Sequence, residues 1–277
     1  MTEKRFDILL HKWLRVPYSL NVTEFTSPTH SQATLVQIHG IGSSTLMWKG
    51  VAAHMPSNVR IIAIDLLGFG GSPQPLWNDY SLISQVKALH RTIKHLKVDG
   101  KMVLAGHSLG ALVAVEYAAR YQSTVEQIVL ISPPIYTTDD KHAARSFQVS
   151  QDERLRRIYR ALIKSPRQSE FALRAIKKGY SHLMNVEVTM NTNIATYLAT
   201  LDKAIINQNL IDHVKSLQIP VTIIRGTRDL LVVERNIDIL VDSNQHITHY
   251  SVTKAGHNVV KVMRQAVIAI LTDIMSA

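Results

Sequence analysis

Short, nearly unbroken apolar runs alternate along this chain with longer stretches in which apolar residues recur every three or four positions. The runs cover residues 33–38, 60–64, 102–105, 126–131, 221–224 and 246–252. Their length and β-branched content predict strands buried on both faces, the signature of a parallel sheet. Between them, Ile83, Val86, Leu89, Ile93 and Leu96 lie at helical spacing, as do the apolar residues of 259–275. Strand and helix in this rhythm predict an α/β fold built on a doubly wound, mostly parallel sheet. Ahead of it, residues 6–25 hold Ile8-Leu9-Leu10 and an alternation of Tyr18, Leu20 and Val22 on either side of Pro17. That segment predicts one or two edge strands.

The rhythm stops at Ile135 and resumes after Ile219-Pro220. In between, Leu155, Ile158, Tyr159 and Leu162 form one apolar stripe, and Ile194, Tyr197, Leu198, Leu201 and Ile205 form another. Ser165-Pro166-Arg167-Gln168 reads as an N-cap, a proline at the first helical position and a glutamine completing a capping box, with Gly179 ending that helix. The predicted organisation is a core of residues 1–134 and 210–277 with a helical cap, or lid, over 135–209.

In a doubly wound sheet, ligands bind beyond the carboxyl ends of the strands, so the residues there carry the chemistry. The strand at 102–105 runs into Gly106-His107-Ser108-Leu109-Gly110 and then into a helix rich in Ala, Leu and Val. A sharp strand-to-helix turn exposes a serine hydroxyl and clears its surroundings, and glycines two residues before and after the serine remove side chains that would collide. This is a nucleophile elbow. Unpaired N–H groups at the first helical turn point where an oxyanion would form, which makes the Leu109 N–H the first donor. The strand at 33–38 ends in His39-Gly40-Ile41-Gly42-Ser43-Ser44, a turn able to offer a second donor from Ile41, with Gly42 as the alternative. His39 is expected to brace that loop. Asp65, opening the loop Asp65-Leu-Leu-Gly-Phe-Gly-Gly-Ser72, is expected to cap backbone N–H groups.

Two further residues share this edge. Asp229 follows the strand at 221–224, and His257 follows the strand at 246–252, just ahead of the last helix. The other position open to a catalytic acid, after Ile131, is filled by Ser132-Pro133-Pro134, which leaves Asp229 as the acid. The order along the chain is Ser, Asp, His.

These motifs, with Gly226-Thr-Arg-Asp229 and Gly256-His257, resemble the α/β-hydrolase superfamily, and within it the capped carboxylesterases and carbon–carbon hydrolases. The resemblance spans nearly the whole chain, the segment before about residue 35 and the cap excepted. It implies that Ser108 attacks a carbonyl, His257 shuttles the proton, Asp229 holds the imidazole in its useful tautomer, and water releases the acyl group. Relatives that open epoxides or cleave carbon–halogen bonds carry aspartate in place of Ser108, which argues against both activities. The implied function is hydrolysis of a small-molecule carboxylic ester or related acyl bond. Carbon–carbon bond hydrolysis, thioester hydrolysis and a hydrolase-fold receptor with little turnover are the alternatives.

Composition narrows this further. The 277 residues include no cysteine, which excludes disulfides, thiolate metal sites and a cysteine nucleophile and suits a reducing cytoplasm. The motifs require neither cofactor nor metal. The first residues lack the apolar core of a secretory signal, and the apolar run 259–275 is broken by Lys261, Arg264 and Gln265, so it is an amphipathic helix and no membrane span. The formal net charge is +10, and residues 141–180 alone hold eleven Lys and Arg against three acids. A cap so charged suits an anionic substrate or an acidic surface, and equally a solvated helix face. No nucleic-acid motif accompanies it.

Overall fold

The computed structural model describes residues 2–98, 100–136, 151–164 and 193–277. Its strands are β1 (Val22–Thr26), β2 (Ala33–Ile38), β3 (Val59–Ile64), β4 (Lys101–His107), β5 (Gln127–Ile131), β6 (Val221–Gly226) and β7 (Ile247–Val252). They form one sheet in the order β1-β3-β2-β4-β5-β6-β7, with β1 antiparallel to β3 and every other pair parallel. The chain moves outward from β2 to β3, then returns past β2 to β4. The winding therefore reverses between β2 and β4, and the crevice at their carboxyl ends is the switch point where ligands bind in such sheets.

Among the described residues the helices are α1 (Thr2–Asp7), α2 (Lys49–Ala52), α3 (Leu82–His95), α4 (Leu109–Tyr121), α5 (Gln151–Lys164), α6 (Ile194–Thr200), α7 (Ile211–Ser216), α8 (Glu234–Ser243) and α9 (Lys261–Ser276). Because successive strand side chains point to opposite faces, the buried strands feed two cores. Leu35, Ile61, Val103, Val129 and Ile224 meet Trp48 beside α2 and Met263, Val267 and Leu271 of α9. Val36, Ile62, Leu104, Leu130 and Ile223 meet the apolar stripe of α3, most of α4, and residues of α7 and α8. The helices pin the sheet on both sides, which holds the loops at its carboxyl edge against one another.

Strand β1 is the edge strand expected from the N-terminal segment, but Ile8-Leu9-Leu10 is not a strand. α1 continues as a π-helical segment, Ile8–Trp13, which ends where Arg15 takes a left-handed φ of 54°. The reason is tertiary: Asp7 and His11, one turn apart, both engage Tyr18, by a 3.1 Å hydrogen bond and by ring stacking at 3.7 Å.

β5 and β6 pair directly, so the chain between them, α5 and α6 included, is an excursion from the sheet. In α5, Leu155 is buried and Tyr159 packs on the core, while Ile158 is exposed. The stripe is narrower than its spacing predicts. The Leu162 side chain, the Ser165 to Gln168 motif and Gly179 lie outside the described residues. Asp152 fastens the start of α5 to the core through Asn236, whose amide nitrogen donates to its carboxylate at 2.8 Å.

Candidate active site

β4 delivers Ser108 into a turn that the backbone can make only under strain. Ser108 has φ 52° and ψ −116°, a conformation that costs a side-chain-bearing residue on the order of 1–3 kcal/mol and persists only where the surroundings impose it. Here the Ser108 N–H is held by the Ile131 carbonyl of the neighbouring strand at 2.9 Å. A Cβ on Gly106 would strike the Gly110 carbonyl, and one on Gly110 would strike the Ile38 carbonyl at the end of β2. The glycines thus let the turn fold onto itself and press against the neighbouring strand.

Asp229 and His257, far from Ser108 in sequence, arrive beside it because β6 and β7 end at the same edge. His257 Nε2 lies 3.0 Å from Ser108 Oγ, and its Nδ1 lies 3.0 and 2.9 Å from the two carboxylate oxygens of Asp229. A carboxylate accepts only, so the proton sits on Nδ1 and Nε2 is free to accept from the serine hydroxyl. Burial pushes the Asp229 carboxyl up, but the hydrogen bond and charge of His257, the Leu231 N–H and the Ser132 hydroxyl together outweigh it and hold the group below its ordinary value. Leu231 N donates to Asp229 Oδ1 at 3.0 Å. The acid therefore stays ionised and aimed.

The loop after β2 approaches the same serine. A Cβ at Gly40 would lie 3.2 Å from Ser108 Cβ and 2.9 Å from His107 Nδ1, so only glycine lets this loop close on the turn. Among the described residues no acceptor takes the Ile41 or the Leu109 N–H. His39 braces the loop: its Nε2 accepts from Leu66 N at 2.9 Å, which leaves the proton on Nδ1, 2.7 Å from the Gly40 carbonyl. Burial keeps this imidazole's affinity for a second proton low. Asp65 is a cap, accepting from Thr45 N at 2.6 Å, Gly71 N at 2.9 Å and Asn21 Nδ2 at 2.8 Å.

Nothing in the sequence gives His107, Ser132, Tyr136 or Tyr159 a place beside the site. His107 stands inside the elbow motif, yet its bond to the His257 carbonyl is long-range and leaves no local trace. Ser132 has a φ of 49°, buried where a carboxylate could have stood. Tyr136 and Tyr159 are hydrogen-bonded neighbours beside Asp229, and burial raises both phenols. They bring α5 over the site.

A serine hydroxyl, an imidazole and a buried carboxylate in line, at the switch point of a parallel sheet, form a constellation suited to nucleophilic attack on a carbonyl. The profile of the family described as "alpha/beta hydrolase fold" matches residues 33–262. This chain is an α/β hydrolase. The hydrolase is 25% identical over 266 residues to monoacylglycerol lipase ABHD6 of Mus musculus, covering 90% of this chain and 77% of that one. Its fold matches the esterase EaEST from Exiguobacterium antarcticum with a TM-score of 0.76 at 17% identity, over 93% of this chain and 96% of that one. The enol-lactonase from Burkholderia xenovorans LB400 matches with a TM-score of 0.74 at 16% identity, over 93% and 96% of the two chains.

Proposed function

We propose that this hydrolase cleaves a carboxylic ester, or a related acyl bond, of a small molecule through an acyl-enzyme on Ser108. The observation that carries the reading is the unbroken line from Ser108 Oγ through His257 to Asp229, each link at 2.9–3.0 Å. As Ser108 Oγ attacks the carbonyl carbon, its proton passes to His257 Nε2, and the imidazolium so formed is stabilised by Asp229. The tetrahedral oxyanion is met by the Leu109 and Ile41 N–H groups. His257 then hands the proton to the leaving oxygen, that bond breaks, and a water molecule activated by the same imidazole releases the acid and regenerates the serine. The lipase relative, whose name specifies an acylglycerol, supports an ester of this kind.

Arg156 supports a substrate that carries negative charge. Its side chain, 6% exposed, has its Nε without a hydrogen-bond partner among the described residues. It lies three residues before Tyr159, on the inward face of α5 that reaches toward Asp229. A buried guanidinium is costly unless a counter-charge reaches it, and a substrate carboxylate would be one.

The test is a chain-length panel of p-nitrophenyl esters and matching thioesters with Ser108→Ala as the blank, beside fluorophosphonate labelling. Turnover and labelling are expected in the wild type and absent from the variant, which should keep its fold because alanine retains the Cβ and removes only the hydroxyl that meets His257. A Ser108→Ala protein that is still labelled and still turns over would overturn the assignment. A stoichiometric burst without turnover would mark a receptor instead.

A further inference from the structure

The helical segment at the start of the described chain holds its largest apolar side chains out in solvent. Two of its polar side chains turn toward the protein: the Tyr18 hydroxyl donates to Asp7 at 3.1 Å, and the His11 ring stacks on Tyr18 at 3.7 Å while its Nδ1 donates to the Val16 carbonyl at 2.6 Å. Its large apolar side chains face solvent: Phe6 is 65% exposed, Leu9 50%, Trp13 72% and Leu14 63%. An ordinary surface helix does the reverse. Single exposed apolar residues are normal, but a group of four within residues 6–14 marks a surface that meets something apolar.

The flanking charges say what that is. Arg5, Lys12 and Arg15 stand exposed in this segment against Asp7, which is engaged by Tyr18. Aromatic and aliphatic side chains ringed by Lys and Arg suit the boundary between lipid headgroups and acyl chains. There the rings bury their apolar bodies, tryptophan settles at headgroup level, and the cations reach anionic phosphates. Among the described residues no helix is long and apolar enough to cross a membrane, so the segment would lie on the surface. We propose that residues 5–15 dock this hydrolase onto an anionic phospholipid bilayer. The docking stands apart from the reading of Ser108, since none of its residues touches the site.

The experiment is co-sedimentation of the whole protein with vesicles of phosphatidylcholine alone and of phosphatidylcholine and phosphatidylglycerol in equal parts. The wild type is expected to bind the anionic vesicles strongly and the neutral ones weakly, with a blue shift of tryptophan emission that Trp13→Phe removes. The combined variant Phe6→Gln, Leu9→Gln, Trp13→Gln should bind both vesicle types at least about tenfold more weakly, because it loses the buried apolar area. The combined variant Arg5→Gln, Lys12→Gln, Arg15→Gln should lose roughly fivefold per charge on the anionic vesicles and little on the neutral ones. All variants should keep wild-type circular dichroism and wild-type hydrolysis of a soluble p-nitrophenyl ester, which separates failure of docking from failure at Ser108. Absence of wild-type binding, or equal binding by the apolar variant, overturns the proposal. So does a dimer that the apolar variant dissolves while wild-type protein ignores the vesicles, since a second copy would then own this face.

Discussion

His107 Nε2 donates to the backbone carbonyl of His257 at 2.8 Å, tying the residue that precedes Ser108 in sequence to the one that faces it in space. The bond requires a neutral ring with its proton on Nε2. Burial, reinforced by the charge of His257, lowers the His107 imidazole to about 3, so it is neutral near pH 7. The bond suits His107 to position His257. The variant His107→Phe should lower kcat by roughly five- to tenfold, the cost of one lost hydrogen bond, with KM little changed. His107→Gln, which can still donate, should recover most of the loss. A variant that loses melting temperature but no kcat would make the role structural only.

The same histidine makes stability depend on pH. Its folded value of about 3 lies below the usual 6.5, so the unfolded chain takes up a proton that the native protein refuses. Stability should be complete above pH 6.5 and decline as pH falls toward 3, with a slope of about 1.4 kcal/mol per pH unit for each such group. His39, also buried and lowered, adds a slope of the same sign. Asp229, held below the ordinary 3.8, adds a further loss at more acidic pH. Denaturant titrations across this range should show the decline, and His107→Gln should flatten part of it.

Asp229 and Asp65 should separate cleanly. Asp229→Asn keeps the shape but replaces the ionised acceptor that fixes the imidazole tautomer by an amide, and should cost on the order of 10⁴ in kcat, far more than its effect on stability accounts for. Asp65→Asn strips acceptor capacity from Thr45 N, Gly71 N and Asn21, three donors in the loops around β1 to β3. It should cost about 1–3 kcal/mol of stability and far less activity. Steady-state kinetics with thermal melts on both variants decide; exchanged phenotypes would refute the assignment of the acid.

Arg156→Gln should raise KM for an ester bearing a terminal carboxylate by roughly tenfold or more, while a neutral ester of equal size responds little, as expected for a charge-assisted contact worth about 1.5–3 kcal/mol. Arg157 and Arg160, both exposed and both paired with Glu153, belong to the solvated face of α5. Their charge reversal should change only the salt dependence of encounter. Equal responses of the two esters to Arg156→Gln would remove the anionic-substrate reading.

Local sequence determined what local physics constrains. A strand buried on both faces needs an unbroken apolar run, and a turn with no room for a Cβ needs glycine, so the parallel strands, Gly106, Gly110 and the loops that carry Ser108, Asp229 and His257 were all legible. The winding rules of a parallel sheet brought those loops to one edge. Tertiary structure decided the rest. Ile8-Leu9-Leu10 has no period of its own, and its helical form goes with the turn of the chain that folds Tyr18 back onto Asp7 and His11. Arg156 sits in a run of arginines that reads as a solvated face, and only the packing of α5 against the core turns it inward. His107 reaches a carbonyl 150 residues away, a contact that only the closed sheet brings within reach.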